Sequence, residues 1–164
     1  MQTKKCLSLF ILLFIAAAVY AGNKNSSFSG TWKLNREKTP SANGQIFLAK
    51  ISMTLKNDSL LTVRTYENSN GETYPFNENL TMDGKECKIV IYDWPRKSKA
   101  TWLEQEKSLV IESTTTFTRD SQEENLTSIE TWKMDENGTS ITVDYTTTFS
   151  SGTLKGSYYF TKSE

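Results

Sequence analysis

From residue 30 onward, apolar and polar side chains alternate with a period of two, and the alternation breaks repeatedly at Gly, Asn, Asp and Pro. That period puts successive side chains on opposite faces of a strand, so it predicts antiparallel strands buried on one face. Ten segments carry it: 30–35, 45–56, 59–68, 73–82, 87–93, 98–104, 108–119, 125–134, 140–149 and 153–163. Turn chemistry is clearest at Asn70-Gly71, Asp83-Gly84 and Asn137-Gly138, whose residues tolerate the positive φ of tight hairpins. The longest connection, 36–44, contains Pro40 and Gly44. Ten strands with short connections form a meander. A single sheet that wide would expose two edges, so the expected fold is all-β: a closed antiparallel up-and-down barrel of 8–10 strands.

The alternation also predicts which side chains point inward. In segment 140–149, Ile141, Val143, Tyr145, Thr147 and Phe149 share the inner face. In 125–134 the inner set is Leu126, Ser128, Glu130, Trp132 and Met134, and in 108–119 it is Leu109, Ile111, Ser113, Thr115 and Phe117. Joined through their turns, these strands align in layers. Leu109, Ile111, Trp132, Met134, Ile141 and Val143 gather at one end. Ser113, Thr115, Ser128, Glu130, Tyr145 and Thr147 make a polar middle, faced by Tyr158 of the last strand. Phe117, Leu126 and Phe149 return to apolar character near the other end, while Phe160 of the last strand is assigned to the larger apolar end. Unpaired polar groups in a dry core cost on the order of 1–3 kcal/mol each, so a repeated inward polar layer predicts a hydrated cavity. The longer connections, 36–44, 69–72, 94–97, 120–124 and 150–152, fall at the end away from the larger apolar layer, which is therefore the expected mouth.

Composition narrows the chemistry. The chain has 164 residues and no histidine, which excludes Ser-His-Asp triads, Cys-His pairs and imidazole metal or haem ligation. Residues 1–21 read as a signal peptide: Lys4 and Lys5, an apolar stretch over 7–19, then Val19-Tyr20-Ala21 with small residues at the two positions a signal peptidase reads. Removing those 21 of the 164 residues leaves 143 and takes away two of the 19 basic residues, for a net charge of −2. Such a chain is expected to be exported, periplasmic or secreted, with no later membrane span and no affinity for nucleic acid. Cys6 precedes most of the apolar stretch, which argues against a lipidated anchor. Residues 22–28 are expected to be a flexible leader and 29–164 the barrel domain. Five Asn-x-Ser/Thr triplets, at Asn25, Asn57, Asn79, Asn125 and Asn137, carry the glycosylation acceptor pattern.

The segment Phe28-Ser29-Gly30-Thr31-Trp32-Lys33-Leu34 contains a Gly-x-Trp that is similar to the lipocalin signature, whose tryptophan closes the narrow end of the barrel. A longer series follows: Lys38-Thr39, Met82-Asp83-Gly84-Lys85-Glu86, Lys99-Ala100-Thr101-Trp102, Leu109-Val110-Ile111, and Glu130 through Gly138 beginning Glu-Thr-Trp-Lys-Met-Asp. The whole resembles an exported bacterial lipocalin-like family of largely unassigned function. The resemblance implies a calycin-type barrel without implying a substrate or a catalytic set. For the family's basic residue near the end of the last strand, the sequence offers Lys155 or Lys162.

The expected function is non-enzymatic binding of a small, apolar or amphipathic ligand in the cavity, with no cofactor. The candidate ligand-binding residues are Thr115, Phe117, Ser128, Glu130, Tyr145, Thr147 and Tyr158. Trp102 and Trp132 fall on inward tracks as core. Trp94, before Pro95, is expected in a mouth-side loop beside the basic cluster Arg96, Lys97 and Lys99. Glu67, Glu78 and Glu130 also fall on inward tracks, where a carboxylate pair could serve acid–base chemistry or satisfy a wet lumen. Two alternatives stay open. One is an envelope interaction module with a filled barrel and Trp94 at its surface. The other is an isomerase or transferase using Cys87, the single cysteine after residue 21.

Overall fold

The computed structural model describes residues 28–39 and 46–163. The expected signal peptide 1–21 and most of the 22–28 leader lie outside those residues, as do residues 40–45, which include part of the long connection. The described chain is all-β. Its strands are β1 (Gly30–Leu34), β2 (Ile46–Lys56), β3 (Ser59–Asn68), β4 (Thr73–Thr81), β5 (Cys87–Ile91), β6 (Trp94–Leu103), β7 (Ser108–Arg119), β8 (Gln122–Met134), β9 (Ser140–Phe149) and β10 (Gly152–Ser163). Every ladder is antiparallel, and the order β4-β3-β2-β1-β10-β9-β8-β7-β6-β5 rolls an up-and-down meander into a nearly closed barrel. β1 pairs with both β2 and β10, which brings the first and last strands together in the sheet.

The remaining seam lies between β4 and β5, and side chains bridge much of it. The Tyr92 hydroxyl donates to the Pro75 carbonyl at 2.8 Å, and the Tyr74 and Tyr92 rings meet edge to face. Arg96 of β6 reaches Glu78 of β4. At the apolar end the backbone closes the gap itself: Asp83 bridges Thr101, and Gly84 N–H donates to the Ala100 carbonyl at 2.9 Å.

The apolar end is a filled core of Trp32, Ile51, Met53, Leu60, Leu80, Ala100, Leu109, Ile111, Trp132, Ile141, Val143 and Phe160, all buried. Phe160 lies at this end, opposite Ile141, as the alternation of the last strand predicts. Phe28, expected in a flexible leader, is buried here as well. Its carbonyl accepts the Trp32 indole N–H at 2.9 Å, and its ring meets Trp102 edge to face. A large apolar side chain that caps the core is held there by burial, so Phe28 is part of the core and not of a flexible leader. Gly30 has φ +140°, and a Cβ there would lie 2.8 Å from Lys162 Cε. The close approach lets the Lys162 ammonium sit 5.2 Å from the centre of the Trp32 ring.

Two turns shift strand starts from their expected places. Tyr92 and Asp93 both have positive φ, as do Asp120 and Ser121. These are tight two-residue hairpin loops made without glycine. Trp94 therefore opens β6 and does not sit in a loop, and β8 begins at Gln122 instead of residue 125.

Candidate functional site

Above the apolar core the inner face turns polar, in the rows the alternation predicts. Ser98, Ser113 and Ser128 lie side by side on β6, β7 and β8, with Thr147 next on β9. Glu130 stands opposite Tyr145, and Arg96 opposite Thr115. On the far wall Thr62 pairs with Glu78, and Arg64 with Phe76.

Four charged side chains meet across this waist. Arg64 Nη1 donates to both oxygens of Glu130, at 2.7 and 2.9 Å. The Trp132 indole N–H donates to the same carboxylate at 2.9 Å, and Arg64 also lies over the Trp132 ring at 5.2 Å. Arg96 donates to Glu78 through Nε at 2.8 Å and Nη2 at 3.4 Å, and to the Thr115 hydroxyl through Nη1 at 3.2 Å. Ser98 donates to Glu78 at 2.5 Å, while Arg64 Nε faces Glu78 Oε2 at 3.6 Å. The cluster is charge-balanced: two guanidiniums against two carboxylates, with every carboxylate oxygen accepting at least one hydrogen bond.

The environment holds these charges in place. Burial pushes the Glu78 carboxyl up, but Arg64, Arg96 and the Arg96 and Ser98 hydrogen bonds outweigh it, leaving Glu78 below its ordinary range. Burial opposes the charge on Arg64, but Glu130 and Glu78 outweigh it and keep the guanidinium firmly protonated. Burial raises Tyr66 and, together with the neighbouring Tyr145, raises Tyr158, so both phenols remain neutral donors at ordinary pH.

The candidate residues fall into three groups. Ser128 and Thr147 share a 3.1 Å hydrogen bond, and Tyr145 stacks on Tyr158 with ring centres 4.9 Å apart. Glu130 and Thr115 belong to the charge cluster, each held by an arginine. Phe117 stands apart, nearer the open end, where its ring packs 5.8 Å from Trp94. Gly156 makes the tyrosine pair possible, because a Cβ on it would lie 2.6 Å from the Tyr145 hydroxyl.

Two expectations are corrected. Glu67 does not face the lumen: it shares a row with Phe47 on the outer wall and pairs with exposed Arg36 at 2.6 Å. A bulge between Leu48 and Lys50 turns Phe47 outward, where the Arg36 guanidinium covers it at 4.6 Å. Arg96, Lys97 and Lys99 are not a loop cluster; they alternate along β6, with Arg96 buried and both lysines exposed. Cys87 starts β5 half-buried and packs against the core.

Arg64 and Arg96 are the site residues that sequence reasoning missed. Arg64 shares the alternation of Leu60, Thr62 and Tyr66, which was signal enough. Arg96 was hidden by the glycine-free turn that displaced the start of β6.

A separate hollow of about 440 Å³ lies on the outer wall of β6–β9. Threonines line it, and Lys97 and Lys99 are matched in number by Glu86 and Glu112. No buried charged side chain lines it, so the lumen is the better candidate site. Among the described residues, no cluster of His, Cys, Asp and Glu has the grouping of a metal site, and no helix is long and apolar enough to cross a membrane. The chain matches no protein-family model, no curated protein and no solved structure.

Proposed function

We propose that this protein binds a small, largely apolar or amphipathic molecule in the open half of its barrel, without catalysing a reaction. The observation that carries the reading is a gradient of exposure along the lumen. Arg64 at the waist is 0% exposed, yet Thr115, Ser128, Glu130 and Tyr145 on the facing wall keep 8–9%. Nearer the mouth, Tyr66, Phe76, Phe117 and Phe149 are only half-buried, and Trp94 is 49% exposed. An aromatic-lined opening above a polar floor suits a ligand with an apolar body and a polar end. The closed half supplies stability and the open half the space.

Titrating the chain from residue 22 with a panel of lipophilic ligands, and following tryptophan fluorescence, tests this. Trp94 at the rim and Trp132 at the floor are the reporters. Saturable quenching by at least one ligand, weakened by Tyr145→Ala, is expected. A flat signal across the panel removes the reading.

Membership of the exported lipocalin-like family is part of the proposal. It is supported by Lys162 lying across Trp32, which favours Lys162 over Lys155 as the basic partner of the Gly-x-Trp tryptophan. Export is supported by the 1–21 pattern, and the mass of the processed protein checks it: a chain starting at Gly22 is expected.

A second reading, an interaction module of the cell envelope, rests on apolar side chains at the rim. Ile46, Tyr92, Trp94 and Leu154 are all largely exposed there. Recovery of a specific envelope protein by the native chain, lost with Trp94→Ala, would favour it; equal recovery would count against that surface.

A further inference from the structure

We infer that the lumen selects ligands whose polar end is a neutral hydrogen-bond acceptor, an alcohol, ketone, ester or ether oxygen, over a carboxylate on the same apolar chain. The inference rests on the ligand-binding reading and specifies its chemistry. Three observations lead to it.

The first is the charge balance. Arg64 and Arg96 are matched by Glu78 and Glu130, all four buried. A carboxylate brought against this cluster would be a third acid for two guanidiniums. The balanced cluster offers no net positive charge to offset stripping the water from an ionised head group.

The second is where hydrogen-bonding capacity is left over. Glu130 accepts from Arg64 and Trp132, and Glu78 accepts from Arg96 and Ser98, so the acceptors are committed. The donors are not. Arg64 Nε and Nη2 are buried and lack a hydrogen-bond partner among the described residues. These two donors lie beneath the cluster, Nε facing Glu78 Oε2 at 3.6 Å, so the unspent hydrogen-bonding capacity of the waist is on the donor side. A ligand meets the waist through the facing wall, where Thr115, Ser128 and Tyr145 keep 8–9% exposure and their hydroxyls can donate to a neutral oxygen.

The third is the nature of the surrounding polar groups. Tyr66, next on the inner face of β3 toward the open end, and the stacked Tyr145–Tyr158 pair are phenols. Tyr66 and Tyr158 are held in the neutral form. With Ser128 and Thr147 they make a lining of hydroxyls that carries no charge. The balance of unsatisfied capacity is on the donor side, and the ligand that completes it contributes an oxygen lone pair without a charge.

A matched series tests this: lauryl alcohol, methyl laurate and laurate, titrated by tryptophan fluorescence at a pH of about 8, where the free acid is ionised. The alcohol or ester is expected to bind at least about tenfold more tightly than laurate, close to 1.4 kcal/mol. Laurate binding as tightly as the neutral pair, or more tightly, overturns the inference and leaves the ligand-binding reading standing. Binding of none of the three removes both. Glu78→Gln supplies a second, independent comparison, because it leaves the cluster with one surplus positive charge at nearly constant shape. Laurate should then gain roughly tenfold relative to the alcohol. An unchanged ratio in a folded variant, checked by circular dichroism, also overturns the inference.

Discussion

Arg64 and Glu130 are 66 residues apart in sequence and sit on opposite walls of the barrel, yet their side chains meet at 2.7 Å. Their strands, β3 and β8, are five places apart in the ten-strand order, the largest separation a ten-stranded ring allows. The bond therefore spans the barrel interior above the filled apolar core. Removing one partner leaves the other charge buried and unpaired. Arg64→Met is expected to lower the unfolding free energy by about 3–5 kcal/mol in urea denaturation. Arg64→Met with Glu130→Leu should recover part of that loss, since the orphaned charge goes too. A single variant as stable as the native protein would mean that the pair does not brace the walls.

The same cluster sets an acid limit. Glu78 has a folded-state pKa below its ordinary value. Its contribution is therefore complete above the unfolded pKa of about 4.3 and is lost as pH falls through the lower folded value. Asp135, in the β8–β9 turn, is pulled down to about 2 by the Ser140 backbone N–H and the Thr139 side chain, and adds to the loss over the same range. Stability should stay nearly flat from neutral pH to about 5 and fall below it. Glu78→Gln should flatten that slope. An unchanged pH profile in this variant would contradict the assignment.

Gly156 and Tyr145 face each other too closely for any side chain at position 156. A Cβ would lie 2.6 Å from the hydroxyl, 2.9 Å from Cζ and 3.1 Å from Cε1 of Tyr145. Gly156→Ala must displace the ring from its stack on Tyr158, at a cost of about 1–3 kcal/mol. Tyr145→Phe removes the nearest atom, so the double variant should be less destabilised than the sum of the two single changes. Simple additivity in thermal unfolding would show that the ring moves away freely.

The seam is expected to be the first part of the barrel to open. β4 and β5 end the ladder order, and between them the Tyr92–Pro75 bond at 2.8 Å substitutes for a backbone pair. Amide hydrogen exchange should be faster in β5 than in β7 and β8, which are paired on both sides. Tyr92→Phe should speed it further, corresponding to about 0.5–1.5 kcal/mol of local stability. Equal protection in all these strands would show that the seam is as firm as a ladder.

Much of this architecture was legible because strand alternation is a local property. The inner sets of β7, β8 and β9, from Leu109 to Phe149, follow from counting by two once each strand is anchored by its apolar residues. The strand starts at Trp94 and Gln122 were not legible. Tyr92-Asp93 and Asp120-Ser121 adopt positive φ without glycine, and only the hairpin as a whole holds them there. Glu67 was misplaced for a different reason: β3 carries Leu61 and Val63 on one track and Leu60 and Tyr66 on the other, so counting by two does not choose the buried face, and the structure buries Leu60.

By itself, then, the sequence determined that polar groups, Glu78 and Glu130 among them, would face inward between apolar ends, because side-chain direction along a strand has a fixed period. Which of those groups would touch was decided by tertiary structure alone. Strand number and order put β3 across from β8 and β4 across the seam from β6, and so joined Arg64 to Glu130 and Arg96 to Glu78. Contacts across a lumen depend on how the sheet closes, and closure is a property of all ten strands together.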